Sequence, residues 1–191
     1  MKIILNTVVL AFLLLLTAAV HAASPEELTT LYYQHIDKSQ WNKIADMLHE
    51  SALNEFKTQL LPLLNSEANN GRNGLLKKTF GKQATYEDAK KASEKVFFVN
   101  VISNVAGLMK NSGIKNTQTT VIGKVTENDD LVHVLVRERY KLGDMALTNM
   151  EVLSYKQAGK NWALLLSGKI HALVQVICNR RPLCQSRYYM V

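Results

Sequence analysis

Glu138 is the residue whose setting comes nearest to chemistry. It stands in the run Val132-His133-Val134-Leu135-Val136-Arg137-Glu138-Arg139-Tyr140. In an extended chain side chains alternate, so Val132, Val134, Val136, Glu138 and Tyr140 share one face, and three valines mark that face as buried. A carboxylate among apolar groups has its pKa raised and can serve as a general base. Glu138 is therefore the candidate catalytic residue. The plainer reading is an acid paired with Arg137 or Arg139, or solvated near a strand end. His133 points to the opposite face with Leu131, Leu135, Arg137 and Arg139, where a surface or packed imidazole is the simpler reading than a base.

Other chemistries lack their residue sets. His49-Glu50 has no second histidine at the helical spacing of a zinc protease motif. His35 and Asp37 fall on different sides of a helix, which gives no support to a Ser-His-Asp arrangement. There is no glycine-rich phosphate loop and no nucleophile elbow. Cys178 and Cys184 enclose Asn179-Arg180-Arg181-Pro182-Leu183. In an oxidising compartment that spacing predicts a local disulfide, worth on the order of 2–3 kcal/mol by loop closure. Two cysteines without a nearby histidine do not make a zinc site. No metal and no cofactor is expected.

The compartment follows from the first residues. Met1-Lys2 is followed by an apolar run from Ile3 to Leu16 and then by Thr17-Ala18-Ala19-Val20-His21-Ala22. One positive charge, a short greasy core and small residues at Val20 and Ala22 predict a signal peptide over residues 1–22, cleaved near Ala22. The protein is then expected to be exported, to the periplasm or beyond. Residues 23–191 are expected to form a single α+β domain with a C-terminal tail. With Lys2 removed, 22 basic residues face 16 acids. That surplus favours anionic partners in general. Nucleic acid is not expected, because the chain is exported and no basic run is interleaved with aromatics.

The elements that would position Glu138 are read from periodicity. Ser24-Pro25-Glu26-Glu27 opens a helix with a cap, a proline in the first turn and early acids. A second helix begins near Gln40, with Trp41, Ile44, Ala45, Leu48, Ala52, Phe56, Leu60 and Leu63 at helical spacing until Pro62 bends or ends it. Asn65 to Gly74 reads as an exposed loop. A third helix, capped by Thr85, runs through Ala89 and Val96 to Met109 and ends at Ser112-Gly113. The period then changes to alternation, over Thr119–Val125, Val132–Tyr140, a run through Met150 and Leu153, and Trp162–Ile170. Turns at Glu127–Asp130, Gly143-Asp144 and Gln157–Lys160 separate these runs and predict an antiparallel meander of about four strands. Ala172 to Ile177 fits either an extension of the last strand or a terminal helix.

Tyr32-Tyr33, Trp41 with Ile44-Ala45-Met47-Leu48-His49, Ala52-Leu53 and Lys160-Asn161-Trp162-Ala163-Leu164, in this order of elements, resemble the nuclear transport factor two-like, or SnoaL-like, superfamily. The resemblance implies N-terminal helices packed on a curved, cone-like antiparallel sheet with a pocket between them. Glu55 to Phe80 departs from it, because such proteins carry short early strands there. The superfamily holds isomerases, dehydratases and non-catalytic binding domains, so fold alone selects none of them.

Val134, Val136, Tyr140 and Trp162 are the expected pocket residues, with core anchoring as the simpler role for Trp162. Arg180, Arg181 and Arg187 in the tail are the expected contacts for an anionic partner such as a membrane surface. The leading expectation is a non-enzymatic binding or accessory domain for a small apolar ligand or a partner protein. A small lyase or isomerase using Glu138, and envelope-surface binding through the tail, are the alternatives. A homodimer is compatible with all three.

Overall fold

The computed structural model describes residues 22–71, 74–110 and 115–179. The leader, the helix end at Ser112-Gly113, the Cys178–Cys184 disulfide and the tail arginines Arg180, Arg181 and Arg187 lie outside the described residues. Helices occupy the first half: α1 (Pro25–Asp37), α2 (Trp41–Met47), α3 (Glu50–Asn69), α4 (Gly74–Phe80), α5 (Tyr86–Lys91) and α6 (Glu94–Lys110). Four strands follow, β1 (Lys115–Asn128), β2 (Leu131–Leu142), β3 (Met145–Ala158) and β4 (Asn161–Leu164), and then α7 (Gly168–Asn179). The sheet is antiparallel throughout in the order β1-β2-β3-β4. An open four-stranded sheet carrying helices on one face is the expected α+β architecture.

Local chemistry accounts for the element ends. Ser24 and Glu27 form a reciprocal capping box: the Glu27 amide donates to Ser24 Oγ and the Ser24 amide to Glu27 Oε2. Thr85 and Asp88 do the same for α5. The strand connections after β2 and β3 are two-residue turns, because Leu142 pairs with Met145 and Ala158 with Asn161. Gly143 and Gly159 stand in them at φ 58° and 64°, the positive region that tight hairpins require and that glycine enters without strain.

Four boundaries differ from the periodicity. The second helix breaks at Leu48-His49, where Leu48 turns extended and bridges Leu164, and the His49 amide donates to the Leu164 carbonyl. His49 then caps α3 by accepting from the Ser51 amide. Pro62 does not end α3, which runs on through Asn69; Leu60, Leu63 and Leu64 are buried on both sides of the proline, and burial outweighs the lost hydrogen bond. The segment read as a loop from Asn65 is thus helical to Asn69, and α4 follows at Gly74. The third helix divides at Ala92-Ser93, where Lys57 Nζ takes the Ala92 carbonyl and Ser93 caps α6. The fourth strand ends at Leu164 rather than Ile170, and α7 starts at Gly168.

The core lies between the helices and the inner face of the sheet. Val132, Val134, Val136, Leu153, Tyr155 and Leu164 present that face and are buried. Phe56 meets Phe98 edge-to-face at 5.0 Å and Phe97 at 6.3 Å, and Phe80 stacks obliquely on Phe97 at 5.5 Å. Such pairs add to the area that aromatic burial removes from water. Thr29 on α1 shares a 2.8 Å hydrogen bond with the Tyr155 hydroxyl, fixing the first helix across β3. The helical cover reaches only part of the sheet: Met145 and Leu147, at the β2–β3 hairpin end of the inner face, are exposed. Phe56→Ala is expected to cost about 3–5 kcal/mol of unfolding free energy, because the hole it leaves among Phe97 and Phe98 cannot collapse; urea titration of the two proteins measures it.

Candidate functional site

Glu138 does face the helices, and it is fully buried. Its strand partner is Asn149, while Val136 pairs with Glu151, so the two glutamates stand diagonally on adjacent strands of the same face. Glu151 is also buried. Two carboxylates so placed repel each other and lose their hydration, and they persist only with a compensating cation and donors. Lys169, the second residue of α7, supplies the cation. Its ammonium pairs with Glu138 Oε1, lies 3.2 Å from Glu151 Oε2, and donates to the Tyr140 hydroxyl at 2.8 Å. It also lies 5.1 Å from the centre of the Tyr33 ring and 5.5 Å from that of Tyr140.

The remaining donors close the cluster. Tyr140 donates to Glu138 Oε1 at 2.5 Å and the Asn149 amide to Oε2 at 3.2 Å. Tyr33, from α1, donates to Glu151 Oε2 at 2.8 Å. Burial pushes the Tyr140 hydroxyl up to about 12, helped by its bond to Glu138. Burial likewise raises Tyr32 to about 12, and burial together with Glu151 drives Tyr33 higher still. For Lys169 burial works the other way, but Glu151, then Glu138 and Tyr140, outweigh it and hold the ammonium above the ordinary lysine value. The tyrosines stay protonated and Lys169 stays charged at neutral pH. Both Glu138 oxygens are engaged by donors, an arrangement suited to holding a cation more than to receiving a substrate's proton.

The other expected site residues are scattered. Val134 and Val136 are fully buried in the core cluster. Trp162 packs partly against that core and pairs with Gln157, at the level of Asp130; Tyr140 sits roughly 30 Å along the sheet from there, at some 3.3 Å per residue. These four do not line one hollow. Sequence reasoning missed Glu151, Lys169 and Tyr33 as members of the polar cluster. The alternation Asn149, Glu151, Leu153, Tyr155 did carry the signal for Glu151, because it puts the acid on a face with two large buried residues.

Among the described residues nothing covers the outer face of the sheet. Leu135 pairs with Val152, Arg137 with Met150 and His133 with Val125, all on this side. Val125, Met150 and Val152 are 66%, 47% and 51% exposed, high for large apolar side chains clustered on one face. Towards the hairpin end the face dips into an open hollow of about 830 Å³, lined by Gln118, Arg139, Tyr140, Lys141, Ala146 and Thr148 among others. At the far end His133 is fixed between Ser154 Oγ at 2.9 Å and Glu127 at 2.6 Å. Among the described residues no cluster of His, Cys, Asp and Glu is arranged to hold a metal ion, and no helix is long and apolar enough to cross a membrane.

Raised values in Tyr32, Tyr33, Tyr140, Tyr155 and Lys169 fix the sign of an alkaline transition. The folded state keeps these protons where the unfolded chain, titrating near 10.0 and 10.5, releases them. Their contribution is whole below about pH 10 and is lost as pH rises further. Melting temperature is expected to change little between about pH 7 and about pH 9 on their account and to fall steeply above about pH 10, as followed by circular dichroism. Comparison with family models, with curated proteins and with solved structures gives no match to this chain.

Proposed function

We propose that the chain is an exported, non-catalytic binding module that holds a small amphiphile with an anionic head on the open face of its sheet. The observation that carries this reading is the coincidence, on one face, of an exposed apolar strip with a hollow bordered by Arg139 and Lys141. From Arg139 to His133 the strand covers roughly 20 Å at 3.3 Å per residue, long enough to lay out a medium acyl chain together with its head. A head group at Arg139 and Lys141 would leave the tail against Met150, Val152 and Leu135. The basic surplus of the whole chain favours the same sign of ligand.

The polar cluster on the inner face speaks for binding over catalysis, since its groups are tied to one another by hydrogen bonds and ion pairs. Kinship with the nuclear transport factor two-like superfamily belongs to the same proposal. It is supported by helices preceding a meander in which every strand pairs with the next. Export rests on the leader composition of residues 1–22.

The reading is tested by calorimetric titration with dodecanoate and dodecanol below their aggregation limits. Dodecanoate is expected to bind, dodecanol at least about tenfold more weakly. Arg139→Glu and Val152→Asp are each expected to weaken dodecanoate by a similar factor, and added salt to weaken it too. Dodecanoate binding by either variant as tight as by the unaltered protein overturns the site. A dimer by sedimentation, abolished by Val152→Asp in a protein that binds no amphiphile, reassigns the face to a second copy of the chain.

A further inference from the structure

The cluster around Lys169 has the composition of a receptor. A primary ammonium presents three N–H bonds, and three oxygens surround this one within 3.2 Å: Glu138 Oε1, Glu151 Oε2 and the Tyr140 hydroxyl. The rings of Tyr33 and Tyr140 flank it at cation–π distance. Two carboxylates answer a single positive charge, so the cage holds more acceptor capacity than its occupant uses. Glu151 shows the surplus directly: its side chain is 5% exposed, yet its Oε1 has no hydrogen-bond partner among the described residues.

The occupant, by contrast, is partly open to solvent. Lys169 keeps 37% of its side chain exposed, whereas Glu138 and Glu151 keep 0% and 5%. The acceptors are thus fixed and dry, while the cation reaches them on a flexible stem from the solvent side. The helix that carries it has its own anchors, since Ile170 and Val174 are buried in the core independently of the lysine. Withdrawal of the Lys169 ammonium would therefore leave the apolar anchors of α7 in place. Oxygens arranged for three N–H bonds suit a primary amine and leave a quaternary one without a donor.

We infer that Glu138, Glu151, Tyr33 and Tyr140 form a receptor for a small primary alkylammonium ion, and that the chain's own Lys169 is its resident plug. The site lies on the inner face of the sheet, opposite the apolar strip of the amphiphile surface, and the two share Tyr140, which also borders the hollow. An external amine binds by taking the place of the lysine ammonium, so affinity is set by competition with an intramolecular group.

Two arms of one experiment test this, with n-propylammonium chloride as the probe because it replaces the Cγ-to-Nζ segment deleted in Lys169→Ala. In that variant the melting temperature is expected to drop, and n-propylammonium to recover most of the loss along a saturable curve. Sodium chloride and tetramethylammonium chloride at the same ionic strength are expected to recover little. Adding Glu151→Gln should weaken the n-propylammonium effect at least about tenfold. If Lys169→Ala does not fold alone, refolding that depends on n-propylammonium reports the same site. Equal action of the two amines, or none, overturns the receptor. In the unaltered protein, n-propylammonium is expected to move the Lys169 Nζ resonance towards that of a free lysine. A resonance unmoved at the highest concentration shows a fixed ion pair and overturns displacement.

Discussion

Two acids buried diagonally on neighbouring strands are the constraint around which the rest is arranged. Glu138 and Glu151 share the face that also carries Val134, Val136, Leu153 and Tyr155, so they cannot turn to water without reversing the whole strand. Their charges must be met from the helical side. Tyr33 on α1 meets one of them, and Lys169 on α7 meets both. This fixes where the last strand stops. β4 ends at Leu164, and the three residues after it bring the chain round so that the second residue of α7 stands over the acids.

The same two-residue period divides the sheet into two chemistries. On β2, Glu138 belongs to the dry side, and its neighbours Arg137 and Arg139 belong to the open one. Inner positions are committed to packing and to the closed polar cluster. Outer positions carry apolar side chains that no other part of the described chain covers, with cations beside them. Packing and the polar cluster thereby occupy one face of the layer, and the apolar residues that no described element covers occupy the other.

How much of this was legible depended on whether the determining interaction was local. Caps at Ser24 and Thr85, turns at Gly143 and Gly159, and the inward face of Glu138 all follow from neighbours in sequence, and each was read correctly. The helix break at Leu48-His49 was not legible, because it depends on a bridge to Leu164 far along the chain. Nor was the division at Ala92-Ser93, where Lys57 from another helix takes the carbonyl. Pro62 misled for the reverse reason: its local penalty is real, but the stripe from Leu60 to Leu64 is buried against distant partners. Lys169 was lost to the site because alternation through Trp162 and Leu164 continues formally to Ile170. Only the need to neutralise two acids tells a strand from a helix there.

The polar ties of α1 reach far along the 191-residue chain. Thr29 meets Tyr155, Tyr33 meets Glu151 and Tyr32 meets Ser167, separations of 126, 118 and 135 residues. Closing loops this long is slow, so these ties form late in folding. A chain lacking its final quarter can pack α1 on α2, β1 and β2 but lacks these polar partners. The polar anchoring of α1 is thus complete only once β3 and Ser167 have both been made.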